Sequence, residues 1–282
     1  MSNYSTGVNP EAGIRPAIPD LTLVVPTYNE RDRLAELTTA LFAATDAHGV
    51  NLELVIVDDN SPDGTGPLAD TLAQTFNMRV IHRAGKLGLG TAVVAGFAEA
   101  RAEVLGVMDA DFSHPPALVP RMLATLKGMQ ADLVVASRYV PGGSTPNWPL
   151  RRRLLSRAAC LLARPITPIR DAASGFFLIR REIARRVTIK AGGFKICLEL
   201  LVRGWPNRLV ELPYQFDDRE LGESKMSSKE AAGYLYQLRD LYWLRWTAPV
   251  KSKVEYHRLS AEGADALLHS MAALNPPLKP GR

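Results

Sequence analysis

The sequence predicts an α/β fold in which a mostly parallel sheet is covered by helices on both faces. Three observations support this prediction. Short apolar runs alternate with segments of helical periodicity, the runs are largely unbroken, and a single helix separates successive runs. Unbroken apolar strands are typical of sheets buried on both faces. Since crossovers between parallel strands are right-handed, the carboxyl ends of the strands should share one edge, where α/β proteins bind ligands.

Five short apolar runs predict the strands. In chain order they are 21–25, which ends before Pro26, then 52–57, 78–82, 104–108 and 133–137. Four segments between them have helical spacing or helix-forming composition: 31–48, 65–76, the Ala-rich 89–101, and 116–129. Four of the loops that follow the strands should therefore converge: 26–30, 58–65, 83–89 and 109–115.

We divide the chain into three parts. Residues 1–20 are polar and rich in Pro, Gly and Asn, which predicts a flexible leader. Residues 21–227 form the predicted α/β domain, and 228–282 form a helical extension with a disordered tail.

The extension begins with an amphipathic segment at 228–246 and has a second predicted helix at 261–274. The first segment has its larger apolar residues on or near one helical face: Leu235, Leu238, Leu241, Tyr242 and Trp246. A basic amphipathic helix with aromatic residues can lie on a bilayer, or it can pack on its own domain. The sequence leaves both alternatives open.

Composition limits the class of protein. The chain has 282 residues, of which 46% are hydrophobic and 22% charged, as in an ordinary globular protein. Its two cysteines, Cys160 and Cys197, form no CxxC motif and are expected to be reduced core thiols in a cytoplasmic protein. We expect no signal peptide, and no segment approaches the roughly 20 apolar residues of a spanning helix. The expected protein is soluble or attached to a membrane surface.

Positive charge is concentrated in one part of the chain. The net charge is +5, and residues 148–195 contain many Arg and Lys but only two acids, Asp171 and Glu182. Such a block indicates an anionic partner such as phosphate or anionic lipid, although solvated helix faces produce the same pattern. No nucleic-acid-binding motif accompanies the charge, so we predict no nucleic-acid partner.

The pattern Asp109-Ala110-Asp111 directly follows the apolar run at 104–108. Two carboxylates one residue apart repel each other unless a cation lies between them. Oxygen ligands suit Mg²⁺ or Mn²⁺, and Mg²⁺ sites often combine one or two carboxylates with substrate phosphates. A solvated Asp-rich turn is the alternative interpretation.

The other strand-end loops contain residues suited to a nucleotide. Tyr28 can stack on a base, and Glu30 can accept hydrogen bonds from a base or ribose or precede a helix as its N-cap. Asp59 follows the second strand, where an acid commonly binds a ribose, and Lys86 lies among glycines that expose backbone amides to an anion. The glycine pattern of dinucleotide-binding folds is absent after the first strand, which disfavours a nicotinamide enzyme.

Nine segments spanning about residues 21–228 occur in a specific order. They are VVPTYNE at 24–30, VDDNSPDGT at 57–65, GKLGLGTAVVAGF at 85–97, MDADFSHPP at 108–116, SRYVPGG at 137–143, NWPLRRRLLSR at 147–157, DAASGF at 171–176, FKICLELL at 194–201 and RELGESKM at 219–226. In this order they resemble the inverting family 2 glycosyltransferases of GT-A fold, and within them the dolichol- or polyprenol-phosphate mannose synthases. The resemblance implies a Rossmann-like, mostly parallel sheet followed by C-terminal amphipathic helices.

The resemblance also implies roles for individual residues. The nucleoside of a nucleotide-sugar, GDP-mannose, would contact five residues: Pro26, Tyr28, Glu30, Val57 and Asp59. The segment 109–111 would lie at the diphosphate with both Asp binding Mg²⁺ or Mn²⁺, and Ser113 would occupy the position of a further ligand. Phosphates of donor or acceptor would be held by four basic residues: Arg138, Arg152, Arg219 and Lys225.

The expected reaction is transfer of mannose, with inversion, to a polyprenyl (dolichyl-type) monophosphate, with Asp111, Arg138, Arg219 and Lys225 as its main residues. The expected location is the inner face of the cytoplasmic membrane. Some relatives carry two C-terminal transmembrane helices that this sequence lacks, so the segment at 228–246 or a separate membrane-anchoring subunit would provide attachment. The alternatives are another donor sugar such as glucose, a hydroxyl acceptor, or a noncatalytic binding protein.

Two acids are left with open roles. Asp171 can orient an arginine or cap a helix, and Glu199 can pair with Lys195. Neither is assigned as a catalytic base, because a lipid phosphate is already an anion and needs none.

Overall fold

The computed structural model describes residues 18–189, 195–217, 228–248 and 254–274. The strands are β1 (Leu21–Thr27), β2 (Leu52–Asp58), β3 (Met78–His82), β4 (Val104–Val107), β5 (Leu133–Ser137), β6 (Phe177–Arg180), β7 (Arg208–Pro213) and β8 (Glu255–Arg258). The helices are α1 (Arg31–Asp46), α2 (Thr65–Leu72), α3 (Leu89–Glu99), α4 (Leu118–Gly128), α5 (Leu150–Ala163), α6 (Arg181–Arg185), α7 (Ile196–Arg203), α8 (Ser228–Thr247) and α9 (Ala261–Leu274).

The described strands form one sheet in the order β3-β2-β1-β4-β6-β5-β7-β8. Strand β6 is antiparallel to both of its neighbours, and the other neighbouring pairs are parallel. The predicted mostly parallel sheet is therefore confirmed. The sequence analysis identified β1 to β5 and did not find β6, β7 or β8.

Helices cover both faces of this sheet, as predicted. On β1, Leu23 and Val25 belong to a core shared with α1, α2, α4 and α9, whereas Val24 packs on the opposite face under α3. Helices α5 to α8 contribute to a second core on that opposite face. Helix α3 lies so close to β1 that a Cβ on Gly96 would overlap the Val24 side chain. Only glycine allows this approach of helix and strand.

The C-terminal segment is not purely helical, which corrects the prediction for 228–282. Strand β8 pairs with β7 at the edge of the main sheet. Its four residues are mostly exposed and show no apolar run, so periodicity could not identify it. Helix α9 packs on α4, where Arg121 and Asp265 form an ion pair at 2.5 Å. The division of the chain at residue 228 stays a prediction.

Several predictions fall on residues that the structure does not describe. These are nearly all of the leader at 1–20, the tail at 275–282, and both Arg219 and Lys225. Within the described residues, Cys160 and Cys197 are free and buried, as predicted. No described helix is both long and apolar enough to span a bilayer.

Candidate active site

The loops after β1 and β2 are joined by hydrogen bonds, which confirms their predicted convergence. The backbone amide of Asn29 donates to Ser61 Oγ at 3.0 Å, and that of Glu30 donates to Thr65 Oγ1 at 3.0 Å. Glu30 occupies the N-cap position of α1, but its side chain makes no capping hydrogen bond. The N-cap alternative for its carboxylate is therefore not supported.

Two acids of the second loop build the loop itself. Asp58 accepts hydrogen bonds from Thr27 Oγ1 at 3.1 Å and from the hydroxyl and backbone amide of Ser61. Asp63 accepts hydrogen bonds from the hydroxyl and amide of Thr65 at the start of α2, which lowers the pKa of Asp63. These bonds fix the loop in one conformation.

Asp59 connects the second loop to the loop before α3. Its carboxylate lies 2.9 Å from Arg83 Nη1 in a nearly buried ion pair and accepts the Gly88 amide at 3.3 Å. Burial raises the pKa of Asp59, and the neighbouring guanidinium opposes that rise. Gly88 has φ 96°, a conformation that favours glycine.

Tyr28 and Lys86 lie together at the opening of these loops. The Lys86 ammonium is 4.0 Å from the centroid of the Tyr28 ring, which is 37% exposed. A ring and a cation are thus available to a ligand at the end of the sheet. Pro26, two residues before Tyr28, is partly buried, and Val57 is fully buried in the core. Any contact of Val57 with a nucleoside would therefore come from its backbone.

The Asp109-Ala110-Asp111 segment lies just beyond the carboxyl end of β4, as predicted. The Asp109 side chain is 39% exposed, whereas Asp111 is 8% exposed and accepts the Ser113 amide at 3.0 Å. The Asp109 amide donates to Nδ1 of the buried His114 at 3.1 Å. Burial lowers the pKa of His114, and because Nδ1 accepts the Asp109 amide, the ring proton is on Nε2.

The donor atoms of this segment suit a divalent cation. Ser113 is 1% exposed, and its Oγ has no hydrogen-bond partner among the described residues. Gly175 lies beside Asp109, and a Cβ there would be in ordinary contact with both carboxylate oxygens at 3.4 Å. The described residues contain no group of three His, Cys, Asp or Glu side chains that could by itself hold a metal ion. Two carboxylates and a hydroxyl would therefore need substrate oxygens to complete the coordination of Mg²⁺ or Mn²⁺.

An aromatic cluster connects the acidic segment to the basic part of the site. His114 stacks on Phe176 at 4.9 Å and meets Phe216 edge-on at 5.8 Å. Phe216 in turn contacts Trp148 at 5.2 Å between ring centroids, and Tyr214 packs on the same rings. We call these five residues the aromatic cluster. The sequence analysis did not find it, because its members come from four separate segments.

Arg138 lies beside the aromatic cluster and is held by Asp171. Its Nε and Nη2 each donate to the Asp171 carboxylate at 2.7 Å, and its backbone amide donates at 2.9 Å. The side chains are 9% and 0% exposed. Burial alone would lower the pKa of Arg138, but Asp171 more than reverses that effect and raises the pKa. Of the two roles left open for Asp171, orienting an arginine is therefore correct.

The Arg138–Asp171 pair is supported from the far edge of the sheet. Glu211 on β7 accepts the backbone amide of Asp171 at 3.0 Å, and the hydroxyl of Tyr256 on β8 donates to Glu211 at 2.5 Å. The unpredicted strand β8 therefore helps to position the loop that carries Asp171.

Arg138 and Arg152, both predicted to hold phosphates, lie against the same side chain, Trp148. The Arg152 guanidinium lies 4.1 Å from the indole centroid, and that of Arg138 lies 5.2 Å from it. The indole Nε1 is buried and has no hydrogen-bond partner among the described residues. Arg153 instead donates to the Thr145 carbonyl at 2.9 Å. Within the run of three arginines, the one directed to the basic part of the site is therefore Arg152.

Lys195 is a further candidate site residue, which the sequence analysis did not identify. Burial and the nearby Arg138 lower its pKa, whereas Asp109 opposes the change. The charges of Arg138 and Asp109 thus both act on this side chain. Gln237 on α8 fixes its backbone, because its side chain accepts the Lys195 amide at 3.2 Å and donates to the Lys195 carbonyl at 3.1 Å.

Glu199 does not pair with Lys195, contrary to that expectation. It forms an ion pair with Arg203 one turn later on α7, at 2.5 Å, and accepts a hydrogen bond from Gln237. Lys195 and Arg203 are each four residues from Glu199, but an acid that precedes its basic partner on a helix forms the more favourable pair.

The comparisons with known proteins agree with this geometry. The fold is that of the GT-A glycosyltransferases. Glucosyl-3-phosphoglycerate synthase from Mycobacterium tuberculosis, crystallised with Mn²⁺, UDP and glucosyl-3-phosphoglycerate, matches with a TM-score of 0.59 at 19% identity, covering 83% of this chain and 82% of that one. Residues 22–188 match the family described as Glycosyl transferase family 2. The chain belongs to glycosyl transferase family 2 and is a glycosyltransferase.

Curated relatives extend the match beyond that segment. A dolichol-phosphate mannosyltransferase from Pyrococcus furiosus is 38% identical over 247 residues, which is 86% of this chain and 69% of the relative. One from Saccharomyces cerevisiae is 39% identical, covering 81% and 89%. A polyprenol monophosphomannose synthase from Mycolicibacterium smegmatis is 37% identical with the same coverage.

Proposed function

We propose that the protein transfers mannose from GDP-mannose to a polyprenyl monophosphate and yields polyprenyl-phosphate β-mannose. The names of the relatives support the sugar and the type of acceptor. The observation that carries the proposal is that two chemically different regions, each suited to a phosphate group, lie at the two ends of one cluster. A strand-end acidic segment lies at one end of the aromatic cluster, and two arginines lie at the other.

The acidic end is suited to the donor. Tyr28 would stack on the base, Lys86 and Asp59 would border the nucleoside, and the diphosphate would lie over Asp109 and Asp111. A Mg²⁺ or Mn²⁺ ion held by these carboxylates, with Ser113 nearby, would neutralise the charge that grows on the departing diphosphate. Since Asp111 is more buried than Asp109, it would be the more rigid ligand.

The basic end is suited to the acceptor phosphate. Asp171 fixes two donors of Arg138, so that the remaining guanidinium edge has a defined direction. Arg152 lies across the same indole from Arg138. Two guanidinium groups can bind a phosphate at several oxygens and thus orient its lipid chain.

The reaction would be a single displacement. An oxygen of the acceptor phosphate attacks the anomeric carbon, the bond from that carbon to the β-phosphate oxygen breaks, and GDP leaves with the electron pair. The nucleophile is already anionic, so no side chain has to remove a proton. Attack opposite the leaving group converts an α-linked donor into a β-linked product.

The main task of the chain is then to bring two anions together. Arg138, Arg152 and Lys195 supply positive charge between donor and acceptor, and Arg219 and Lys225 would add to it. Without such charges, the two phosphorylated substrates would repel each other. Positioning and charge stabilisation would account for most of the rate enhancement.

A lipid acceptor implies work at a membrane surface. We propose a peripheral location at the inner face of the cytoplasmic membrane, with a separate membrane-anchoring subunit as a candidate partner. The basic segment at 148–195 is appropriate for a surface that contains anionic lipids.

The purified protein should move label from radiolabelled GDP-mannose into the organic phase when given Mg²⁺ and a short polyprenyl phosphate. GDP-glucose, UDP-glucose and a polyprenol without phosphate are the comparison substrates. Label carried only from a glucose donor, or only to the free alcohol, would replace the proposal by the corresponding alternative. Substrate binding without turnover would indicate a noncatalytic binding protein.

A further inference from the structure

Strand β7 carries a fully buried carboxylate. Glu211 is 0% exposed, and its neighbours Val210 and Leu212 belong to the core on one face of the sheet. Because side chains alternate along a strand, Glu211 points to the other face, where Leu209 joins the second core. A buried carboxylate is costly unless hydrogen-bond donors surround it. The acidic and basic ends of the site do not include Glu211, so its burial requires another explanation.

The donors around Glu211 come from two directions. Its Oε1 accepts the backbone amide of Asp171 at 3.0 Å, and its Oε2 accepts that of Arg170 at 2.9 Å. The Tyr256 hydroxyl on β8 also donates to Oε2, at 2.5 Å. Burial and the hydrogen bond to Glu211 raise the pKa of Tyr256, so its hydroxyl keeps its proton and stays a donor. Both oxygens of Glu211 thus have partners, and the residue is suited to hold a loop rather than to bind a substrate.

The turn at 170–175 runs between the two ends of the candidate site. Near its start, the Asp171 carboxylate accepts two hydrogen bonds from the Arg138 guanidinium at 2.7 Å. At its end, Gly175 lies beside the Asp109 carboxylate. We call residues 170–175 the connecting turn, because one half borders the basic end and the other half borders the acidic end.

The connecting turn has two anchors. Glu211 holds its first two backbone amides. Further along, the Ser174 hydroxyl donates to the Ala136 carbonyl at 2.8 Å, and the Ser174 amide donates to the Asp171 carbonyl at 3.1 Å. The half beside Arg138 therefore depends on Glu211, whereas the half beside the acidic segment depends on Ser174.

We infer that Glu211 is a positioning residue of the transfer reaction and that Tyr256 on β8 assists it. Glu211 fixes the peptide of Asp171, and Asp171 fixes the guanidinium of Arg138. Glu211 and Tyr256 both lie outside residues 22–188, the segment that matches the family, so membership of the family assigns them no role. The effect on the acceptor rests on the proposed function, whereas the ordering of Arg138 does not.

The geometry favours positioning over general stabilisation. A residue that only filled the core at this point would be apolar, like Val210 and Leu212, because burying a carboxylate costs more than burying a leucine. Glu211 instead directs both oxygens to a turn that lies about 40 residues earlier in the sequence. Its bonds therefore determine where the carboxylate of Asp171 stands relative to Arg138.

Glu211→Gln tests the inference by steady-state kinetics with a short, water-soluble polyprenyl phosphate. The amide oxygen can accept one backbone amide, but the NH₂ group turns a donor toward the other, so the turn loses its fixed position. kcat/KM for the acceptor should fall about tenfold. KM for GDP-mannose and the Mg²⁺ requirement should change less than about twofold, because Ser174 still anchors the other half. Tyr256→Phe removes one donor, keeps the ring, and should lower kcat/KM for the acceptor about threefold.

Glu255→Gln is the matched control for Tyr256→Phe. It breaks the exposed ion pair of Glu255 with Arg208 at 2.8 Å, which joins β8 to β7 one residue before Tyr256. The substitution should leave all kinetic constants within about twofold of their original values. Equal losses of kcat/KM in Glu255→Gln and Tyr256→Phe would mean that a loosened sheet edge is responsible, and this would overturn the inference.

Nuclear magnetic resonance supplies a readout that needs no turnover. In the full chain with ¹⁵N-labelled arginine, the Nε–H of Arg138 should exchange slowly with water, because it is buried and donates to Asp171. Glu211→Gln should accelerate this exchange at least about tenfold, and Tyr256→Phe about threefold. The Nε–H of Arg203, which donates to Glu199 on α7, is the internal reference and should be unaffected.

The two readouts together separate this inference from the proposed function. Faster exchange at Arg138 in the variants of a chain that never transfers mannose would retain the ordering of Arg138 and reject the proposed function. Normal transfer by the unaltered chain, with unchanged exchange in both variants, would do the reverse. Faster exchange with unchanged acceptor kinetics would also overturn the inference, because the order of Arg138 would then have no effect on transfer. If Glu211→Gln fails to fold, the milder Tyr256→Phe decides between these outcomes.

Discussion

The acidic and basic ends of the site are built in different ways. At the acidic end, Asp58, Asp63 and Asp111 each accept a hydrogen bond from a residue two or three positions later in the chain, and Asp59, which pairs with Arg83, is the exception. At the basic end, Arg138 depends on Asp171, which lies 33 residues away in sequence. A loop held by local hydrogen bonds can keep its fold when one carboxylate is removed. Removing a carboxylate from a buried long-range ion pair damages the fold. The two ends should therefore respond differently to substitution.

The sharpest test at the acidic end is Asp111→Asn. The amide oxygen still accepts the Ser113 amide, so the melting temperature should change little. The lost negative charge should weaken cation binding and reduce mannosyl transfer about 1,000-fold, or about 4 kcal/mol. The measurements are label transfer over a Mg²⁺ titration and a thermal melt.

Asp63→Asn is the matched control, because it changes a carboxylate that accepts the Thr65 amide at the start of α2, in a neighbouring loop. It should cost about 1 kcal/mol of stability and leave turnover nearly intact. Full activity of Asp111→Asn, or activity that survives exhaustive chelation, would contradict the assignment of the metal site.

At the basic end, Asp171→Asn should damage both fold and function. Removing one partner of a buried ion pair costs about 3–5 kcal/mol, because the remaining charge is uncompensated. Transfer should fall about 100-fold, since Arg138 loses its fixed orientation. Urea unfolding gives the first quantity, and kinetics below the unfolding transition give the second.

The exposed pair of Arg79 and Glu99 provides the comparison. Its side chains are 33% and 42% exposed, so Glu99→Gln should cost less than about 1 kcal/mol and leave transfer unchanged. If Asp171→Asn and Glu99→Gln lowered the free energy of unfolding equally, burial of the Arg138–Asp171 pair would have no energetic consequence.

Lys195→Met should separate function from stability within the basic end. Because burial and Arg138 lower the pKa of this lysine, its charged form is disfavoured in the folded protein. Removal of the charge should leave the unfolding free energy equal or higher. If the ammonium lies between the substrate phosphates, transfer should fall about 30-fold. A variant that loses stability without a selective loss of turnover would indicate a purely structural lysine.

The sequence predicted the acidic end well because its signals are local. The runs at 21–25, 52–57 and 104–108 end beside chemically distinctive loops, and parallel topology alone brings those loops together. Hydrogen bonds between the loops, such as that of Asn29 with Ser61, confirm the predicted convergence. Helix ends were predicted less well. The helix predicted at 65–76 ends at Leu72, because a turn follows in which Phe76 keeps the helical spacing.

The basic end was predicted less completely because its signals are tertiary. Motif resemblance identified Arg138 and Arg152, but nothing local to either residue indicates Trp148 as their common partner. The role of Asp171 depends on antiparallel β6, which returns the chain beside β4 and β5. The exposed leucines of α5 have ordinary helical spacing, and only the structure distinguishes an exposed apolar face from a buried one.

Arg152→Gln tests whether the basic end binds the acceptor phosphate. The test compares KM for polyprenyl phosphate with KM for GDP-mannose. The substitution should raise KM for polyprenyl phosphate about tenfold, or about 1.4 kcal/mol, and leave KM for GDP-mannose nearly unchanged. Arg151→Gln removes the same charge from an exposed position on the same helix and should have little effect in solution. If both substitutions raise KM equally, the general field of the helix, rather than a specific phosphate contact, would be responsible.

The smallest expected effect lies at the acidic end, where Lys86 covers the Tyr28 ring at 4.0 Å. A cation–π contact at a partly exposed site contributes about 0.5–1 kcal/mol. Lys86→Met should therefore raise KM for GDP-mannose about threefold, and Tyr28→Leu should raise it further by removing the stacking surface. Lys127→Met, which breaks an exposed ion pair with Asp20, should leave that KM unchanged.

The double variant of Tyr28 and Lys86 determines whether the two side chains act as one unit. If the ammonium orders the ring for the base, the combined effect should be smaller than the sum of the single effects, because each substitution already disrupts the pair. Strict additivity would indicate separate contacts, with the ring on the base and the ammonium on a phosphate. Because the acidic end relies on local bonds, none of these variants should lower the melting temperature appreciably, and a large decrease would contradict the contrast between the two ends.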